Sequence, residues 1–398
     1  MSEHWKFLHA ADLELGSSLA AGWLPNQQFR SQVLEAGYLA LSRLVEVAIR
    51  EQVDALLLAG NIVDPRTCGA HALGQLDAQF RRLSKGGIPV FWSLGHLDRR
   101  SHWPALPPWP ENVTVFSEPS WSRHRLCSRD GRLLELAGRG WADSRGHRSW
   151  PASGEEGIPL VVLASVDPDQ VPPAAQGTYW ALGGTPTPRD LHRDSPVIRF
   201  AGALQPPVAE WGARGEATRV EIGGGGDVQW ESVPLAPLVG LRRRYSCSAA
   251  DDRGEFEALR AGLERDVVRL REELVREDAS VETWLIEYRL RNVPPQLAWR
   301  LGDPVVRDRL LAQLPAPAEA PRAVPVNLVV ETVQRPGQMP PEGTLLADLL
   351  RRLDQGAADP VFPAPGNAPW FSEFDSPDND TLTSLSRAWA MAVIAESD

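Results

Sequence analysis

Lysine is almost missing from this chain. It occurs only at Lys6 and Lys85, and every other basic residue is arginine. We read this as a coding bias, although arginine also suits bidentate phosphate contacts. An excess of positive charge is missing too: 41 Lys and Arg stand against 52 Asp and Glu, a formal net charge of -11. That argues against a surface coated in cations for nonspecific DNA binding, because phosphate contacts need clustered basic groups; a local basic stripe stays open. The 3 cysteines, Cys68, Cys127 and Cys247, lie far apart. They form no CxxC pair and no even framework, so neither structural zinc nor a disulfide scaffold is indicated. No apolar run approaches the length of a membrane span, and the first residues lack the charged-then-apolar layout of a secretion signal. The expectation is a soluble, cytoplasmic protein with no membrane contact. No Walker A, GxSxG or suitably placed GxGxxG motif occurs, and no internal repeat.

What is present points to a folded chain of two or three domains. It has 398 residues, 43% hydrophobic and 23% charged, which excludes wholesale disorder. Strand and helix signals alternate over the first 220 residues or so. Lys6–Ala11 is a short apolar run ending at Asp12. Phe29–Glu51 places Leu34, Leu41, Leu44, Val45 and Ala48 on one helical face. Asp54–Gly60 reads as a buried strand, Ala70–Leu83 as a second helix and Ile88–Gly95 as a third strand. Further strands are expected at Val113–Phe116, Leu133–Leu136, Pro159–Ser165, Tyr179–Gly183, Val197–Ala203 and Ala217–Ile222. The fold class that follows is α/β (α+β), with two packed β-sheets flanked by helices.

Gly223–Gly226 punctuates the chain, as a domain boundary or a hairpin turn. Beyond it, Asp251–Glu277 carries Phe256, Leu259, Leu263, Val267, Leu270 and Leu274 at spacings of three and four. This helix packs on its own domain's sheet or, alternatively, in a partner coiled coil. The strands Thr283–Leu290 and Val326–Val333 bracket a proline-rich middle. The expected divisions are 1–226, a small α+β domain over 227–340, and a tail over 341–398 with helices near Leu345–Leu353 and Leu382–Ala395.

Each early strand ends in polar residues: Asp12-Leu-Glu14, Gly60-Asn-Ile-Val-Asp64 and Gly95-His-Leu-Asp98. Strand ends are where loops converge on a ligand in α/β sheets. Taken singly, each aspartate reads as a turn or cap. Taken in order they say more. Phe7-Leu-His-Ala-Ala-Asp-Leu-Glu-Leu-Gly-Ser17 resembles the opening of the calcineurin-like metallophosphoesterases, in the SbcD/YhaO-like DNA repair exonuclease branch, where the first motif is Asp-x-His. Ala55–Asp64 is similar to that family's Gly-Asp-x-x-Asp, and Gly87–Asp98 to its Gly-Asn-His-Asp. Tyr179-Trp-Ala-Leu-Gly-Gly-Thr-Pro186 aligns with its final Gly-His-x-His. The resemblance covers about residues 4–222 and extends loosely into the second domain, which looks like the family's capping domain.

The family's enzymes hold two divalent metals that polarise the phosphoryl oxygen and supply hydroxide. Carried over by position, the remnant metal positions are Asp12, Glu14, Asn61 and His96. Asp12 keeps the first carboxylate, Glu14 stands for a histidine, Asn61 for the bridging aspartate and His96 for an asparagine. Leu97 replaces the catalytic histidine, Ser165 stands at the fourth motif, and Gly184 and Pro186 replace the last two histidines. Asp64 and Asp98 survive as loop supports. The expectation is a degenerate member with no catalytic residue and no cofactor, or with Mn2+ or another divalent metal if the remnant site binds one. The resemblance further implies an SbcC-type coiled-coil ATPase as partner, docked through the C-terminal helices, and a homodimer through the first domain. Whether DNA is bound stays open.

Two other features carry alternatives. The stretch Trp103–Pro110, with Trp121, Trp141 and Trp150, is either a stacking platform for single strands or a packed loop. Arg242-Arg-Arg244 is either a solvated junction or a contact for phosphate or an acidic partner.

Overall fold

A computed structural model describes residues 4–16, 27–128, 131–142, 150–151, 154–172, 175–207, 210–247, 254–278, 280–315 and 320–331. The tail 341–398 and both of its expected helices lie outside these residues. The chain divides into two compact units, Met1–Gly240 with Ser280–Glu282, and Leu241–Ala279 with Thr283–Asp398.

In the first unit, β1 (His4–Ala10), β2 (Ala55–Leu58), β3 (Val90–Ser93) and β4 (Val113–Phe116) run parallel, connected in part by α1 (Gln27–Arg50) and α2 (Gly69–Lys85). β11 (Glu216–Gly223) and β12 (Val228–Pro234) extend this sheet antiparallel, giving the order β12-β11-β1-β2-β3-β4. The second sheet has a parallel centre of β6 (Leu133–Gly138), β7 (Leu160–Ser165), β8 (Tyr179–Gly183) and β10 (Val197–Phe200). Its edges, β5 (Ser122–Cys127) and β9 (Arg189–His192), are antiparallel. The expected pair of packed sheets flanked by helices is present.

Side-chain alternation decides which face meets which layer. Phe7, Ala55 and Leu57 point between the sheets, where they meet Leu163, Tyr179 and Ala181. Leu8, Leu56 and Leu58 point the other way, onto Leu41, Leu44, Val45 and Phe80 of the helices. The sheets approach each other closely at Gly183, where a Cβ would lie 2.0 Å from the Ala59 carbonyl oxygen and 2.7 Å from the Ala11 Cβ. Only glycine fits there. The glycine run Gly223–Gly226 is the turn of the β11–β12 hairpin, so residues 227–240 continue the first unit.

The second unit contains most of β13 (Leu238–Ser246), with β14 (Thr283–Arg291) and β15 (Arg322–Val330), in the order β13-β14-β15. α3 (Glu255–Glu277) lies against β15 with Leu259, Leu263, Val267, Leu270 and Leu274 buried, so the own-sheet reading of this helix holds. β14 and β15 are parallel, and α4 (Pro295–Leu301) and α5 (Pro304–Gln313) lie between them in sequence. The proline-rich middle thus hides two helices. Pro295 and Pro304 sit at helix starts, where the missing N–H costs nothing. β15 begins four residues before the expected Val326, and it accommodates Pro325 because it is an edge strand. The Arg242–Arg244 patch is no open basic surface. It alternates along β13, and its members pair with Glu287, Asp266 and Glu331 of the same unit. Among the described residues no helix is long and apolar enough to cross a membrane.

Candidate functional site

The C-terminal ends of the parallel strands of both sheets bring their loops together. β1 delivers Asp12 and Glu14, β2 Gly60 and Asn61, β3 Gly95 to Asp98, β7 Ser165 and β8 Gly184. Asp12, Glu14 and Asn61 have φ of 49, 43 and 54°, in the left-handed region that side chains rarely adopt. Such strain persists where surrounding contacts over-determine it, and it clusters at functional sites. Gly60, at φ 88°, makes the turn between β2 and Asn61 possible.

Asp12 and Asn61 are in direct contact. The Asn61 Nδ2 donates to Asp12 Oδ1 at 2.7 Å, and the Gly184 N–H donates to Asp12 Oδ2 at 3.0 Å. The other end of the amide, Asn61 Oδ1, accepts from the Leu97 N–H at 3.0 Å. Burial pushes the Asp12 carboxyl up to about 7, against the pull of these two donors. Asp98 lies beneath. It accepts from the N–H groups of Asn61 (3.1 Å), Ile62 (2.9 Å) and Gly95, and from Trp92 Nε1 (3.2 Å). Burial raises its carboxyl to about 6 despite those four donors. The loop support expected of Asp98 is therefore concrete: one carboxylate ties the β2 and β3 loops together. Asp64 holds its own turn by chelating Arg66.

Glu14 and His96 take no part in these hydrogen bonds, although Glu14 shares a cavity lining with Asp12. Glu14 lines a cavity of about 40 Å³ with Val33, Leu34 and Gln205, and its carboxyl is raised by burial and by Glu210 and Asp64. His96 is exposed, its ring edge-on to Trp141 at 5.3 Å. Partial burial and then Arg99 and His102 lower its pKa. Ser165 is 2% exposed, and its Oγ has no hydrogen-bond partner among the described residues. No three His, Cys, Asp or Glu side chains among the described residues group as metal ligands. Sequence reasoning missed the Gly184 and Leu97 N–H donors, because backbone groups leave no mark on a motif.

His9, three residues before Asp12, is a strand residue and not part of the site. Its ring is buried between Tyr179 Oη (2.9 Å) and the Leu182 carbonyl (3.1 Å). A carbonyl only accepts, so Nε2 carries the proton and Nδ1 accepts from the tyrosine. Burial, reinforced by Arg199, lowers its pKa to about 3. The unfolded chain takes up this proton below about pH 6.5 while the folded chain does not, so His9 costs stability as pH falls from about 6.5 to about 3. The full difference is roughly 5 kcal/mol. The stability advantage of the parent over His9→Gln should therefore shrink on acidification through that window, as read by urea denaturation at several pH values. A pH-independent difference would refute a neutral buried His9.

The tryptophans form packing, not a platform. Trp103 is buried with Nε1 on the Asp98 carbonyl at 2.7 Å, and Trp109 packs on Phe80 and Trp92. The Arg139 guanidinium lies over both Trp121 and Trp150, at 4.6 and 4.8 Å from their ring centres.

No family model matches the chain. Over 220 residues it is 29% identical to the uncharacterized metallophosphoesterase YhaO of Bacillus subtilis (strain 168), covering 50% of this chain and 53% of that protein. The chain thus spans about half the length of the curated relative it matches. Among solved structures, it is similar to vacuolar protein sorting 29 from Cryptosporidium parvum, at 14% identity over 58% of this chain and 98% of that one, with a TM-score of 0.29. A dimetal phosphatase from Danio rerio is similar at 11% identity over 58% and 99%, with a TM-score of 0.34. By sequence, then, the chain is similar over half its length to a protein named as a metallophosphoesterase.

Proposed function

We propose that this chain is a noncatalytic relative of the SbcD/YhaO-like DNA repair exonucleases, serving as a scaffold or regulatory subunit beside an SbcC-type coiled-coil ATPase. The observation that carries the reading is the hydrogen bond from the Asn61 amide to Asp12. A dinuclear centre needs an anionic oxygen shared between its cations. Here that position presents N–H hydrogens toward the one remaining carboxylate, and both oxygens of that carboxylate already accept protein donors. Gly184 and Pro186 offer no side-chain ligand atom, and Leu97 transfers no proton. These residues do not fit a pair of divalent metals. They fit a closed polar knot that holds four loops in place without one.

A second reading, a residually active metal-dependent phosphoesterase with a rebuilt site, draws on Glu14 and the cavity beside Asp12. The two part in one experiment. The purified chain is loaded with Mn2+, its bound metal is measured by mass spectrometry, and it is assayed on a phosphodiester dye and on linear DNA. We expect well under one metal per chain and no turnover above that of Asp12→Ala. Turnover that Asp12→Ala abolishes would overturn the noncatalytic reading. The scaffold role itself calls for copurification with a large coiled-coil ATPase, and a strictly monomeric, partnerless protein would count against it.

A further inference from the structure

Among the described residues, the second unit leaves an apolar corner exposed. At the junction of α4 and α5, Trp299 is 53% exposed and Val305 63% exposed. Buried Leu297, Ala298 and Leu301 already anchor α4, so Trp299 is not needed inward. Beside it runs a groove of about 560 Å³ lined by Ala298, Trp299, Arg300, Gly302, Asp303 and Val306. A half-exposed tryptophan next to a groove is a surface that a partner segment can use. Arg307 and Arg309 follow on α5 and have no ion-pair partner among the described residues, whereas Arg300 is engaged over the Phe256 ring at 4.9 Å. The corner therefore offers an aromatic and aliphatic surface flanked by two cations on different sides of α5, with exposed Asp303 in the groove and exposed Asp308 between the arginines.

The chain itself contains a segment of matching chemistry. Residues 355–381 hold Phe362, Trp370, Phe371 and Phe374 together with Asp359, Glu373, Asp375, Asp378 and Asp380, and no Lys or Arg. Acid and aromatic residues alternate most tightly in Trp370-Phe-Ser-Glu-Phe-Asp375. The described chain also ends in the right place. The Glu331 N–H donates to the Leu290 carbonyl at 2.8 Å, at the C-terminal end of β14, and α4 starts from that same end at Pro295. The tail thus departs from the end of the sheet at which α4 begins, one short helix from the corner. A tether of roughly forty residues at about 3.4 Å each spans it many times over, and tethering gives an effective concentration in the millimolar range.

We propose that Trp370–Asp375 docks in cis on the α4–α5 corner, its aromatic rings against Trp299 and Val305 and its carboxylates toward Arg307 and Arg309. This contact would pin the stretch between the two expected tail helices to the second unit and so set where those helices are presented. It does not depend on the state of the Asp12 site.

Hydrogen exchange on the full chain tests it. In a Trp370→Ser/Phe371→Ser/Phe374→Ser variant, exchange across residues 295–313 should rise about tenfold or more, the protection that a millimolar effective concentration gives an intrinsic Kd near 0.1 mM. Reciprocally, Trp299→Ser should raise exchange in 366–377, and Arg307→Glu/Arg309→Glu should do so more weakly. A synthetic peptide of residues 366–377 should bind the triple variant, whose corner is vacated, about tenfold more tightly than the parent. Unchanged exchange in every variant, with no peptide binding to the triple variant, would overturn the contact. Protection that fades on dilution would assign the segment to a second copy and overturn docking in cis.

Discussion

Asn61→Asp should destabilise the first unit by about 3–5 kcal/mol at neutral pH, the usual cost of an uncompensated buried charge. The new carboxylate would face Asp12 across the 2.7 Å contact where the amide now donates. Asp98 lies just below. Two carboxyls at that separation cannot both ionise, so the folded variant must keep a shared proton that the unfolded chain releases near pH 4. The sign follows from that proton. A folded-state pKa raised above the unfolded value gives stability that is lost as pH rises through it. The penalty of Asn61→Asp relative to the parent should therefore be small near pH 5 and should grow toward pH 8. Denaturant titrations of both proteins at matched pH measure it. The parent's midpoint should not respond to EDTA or to added Mn2+, because its knot is closed by an amide. A variant as stable as the parent at pH 8 without metal would refute the role given to Asn61.

Asp98→Ala should be more damaging still. It leaves the N–H groups of Asn61, Ile62 and Gly95 and the indole N–H of Trp92 without their acceptor. Each buried donor orphaned in this way costs about 1–3 kcal/mol. Together they approach the whole stability of an ordinary domain, about 5–15 kcal/mol. The first unit should unfold or lose fixed packing, seen as loss of near-ultraviolet circular dichroism and early urea unfolding. Asp98→Asn keeps the shape and one acceptor oxygen, so its loss should be smaller. An alanine variant within about 1 kcal/mol of the parent would mean that water replaces the carboxylate at no cost.

Much of the fold is legible in local pattern. β4 and β8 have the expected bounds because short apolar runs between turn signals have no competing reading. α3 lies where its three-and-four spacing puts it. β5 and β9 escape notice because Ser122–Cys127 and Arg189–His192 are charged edge strands, held by pairing on one side and not by burial. α4 and α5 escape because prolines that look like breakers open both helices.

The site divides along the same line. Which ligand types are missing is written in the residues: an amide at 61, leucine at 97, glycine at 184 and proline at 186 are chemical facts before any folding. What occupies the place of the missing chemistry is not. Only the packed sheets bring Gly184, 172 residues along the chain, onto the carboxylate of Asp12. Only they turn His96 out toward Trp141 and set the Asn61 amide between Asp12 and Leu97. Side-chain identity is local and can be read in order along a chain. Hydrogen bonds between distant backbone groups depend on how two sheets close against each other, and that closure is a property of the whole core.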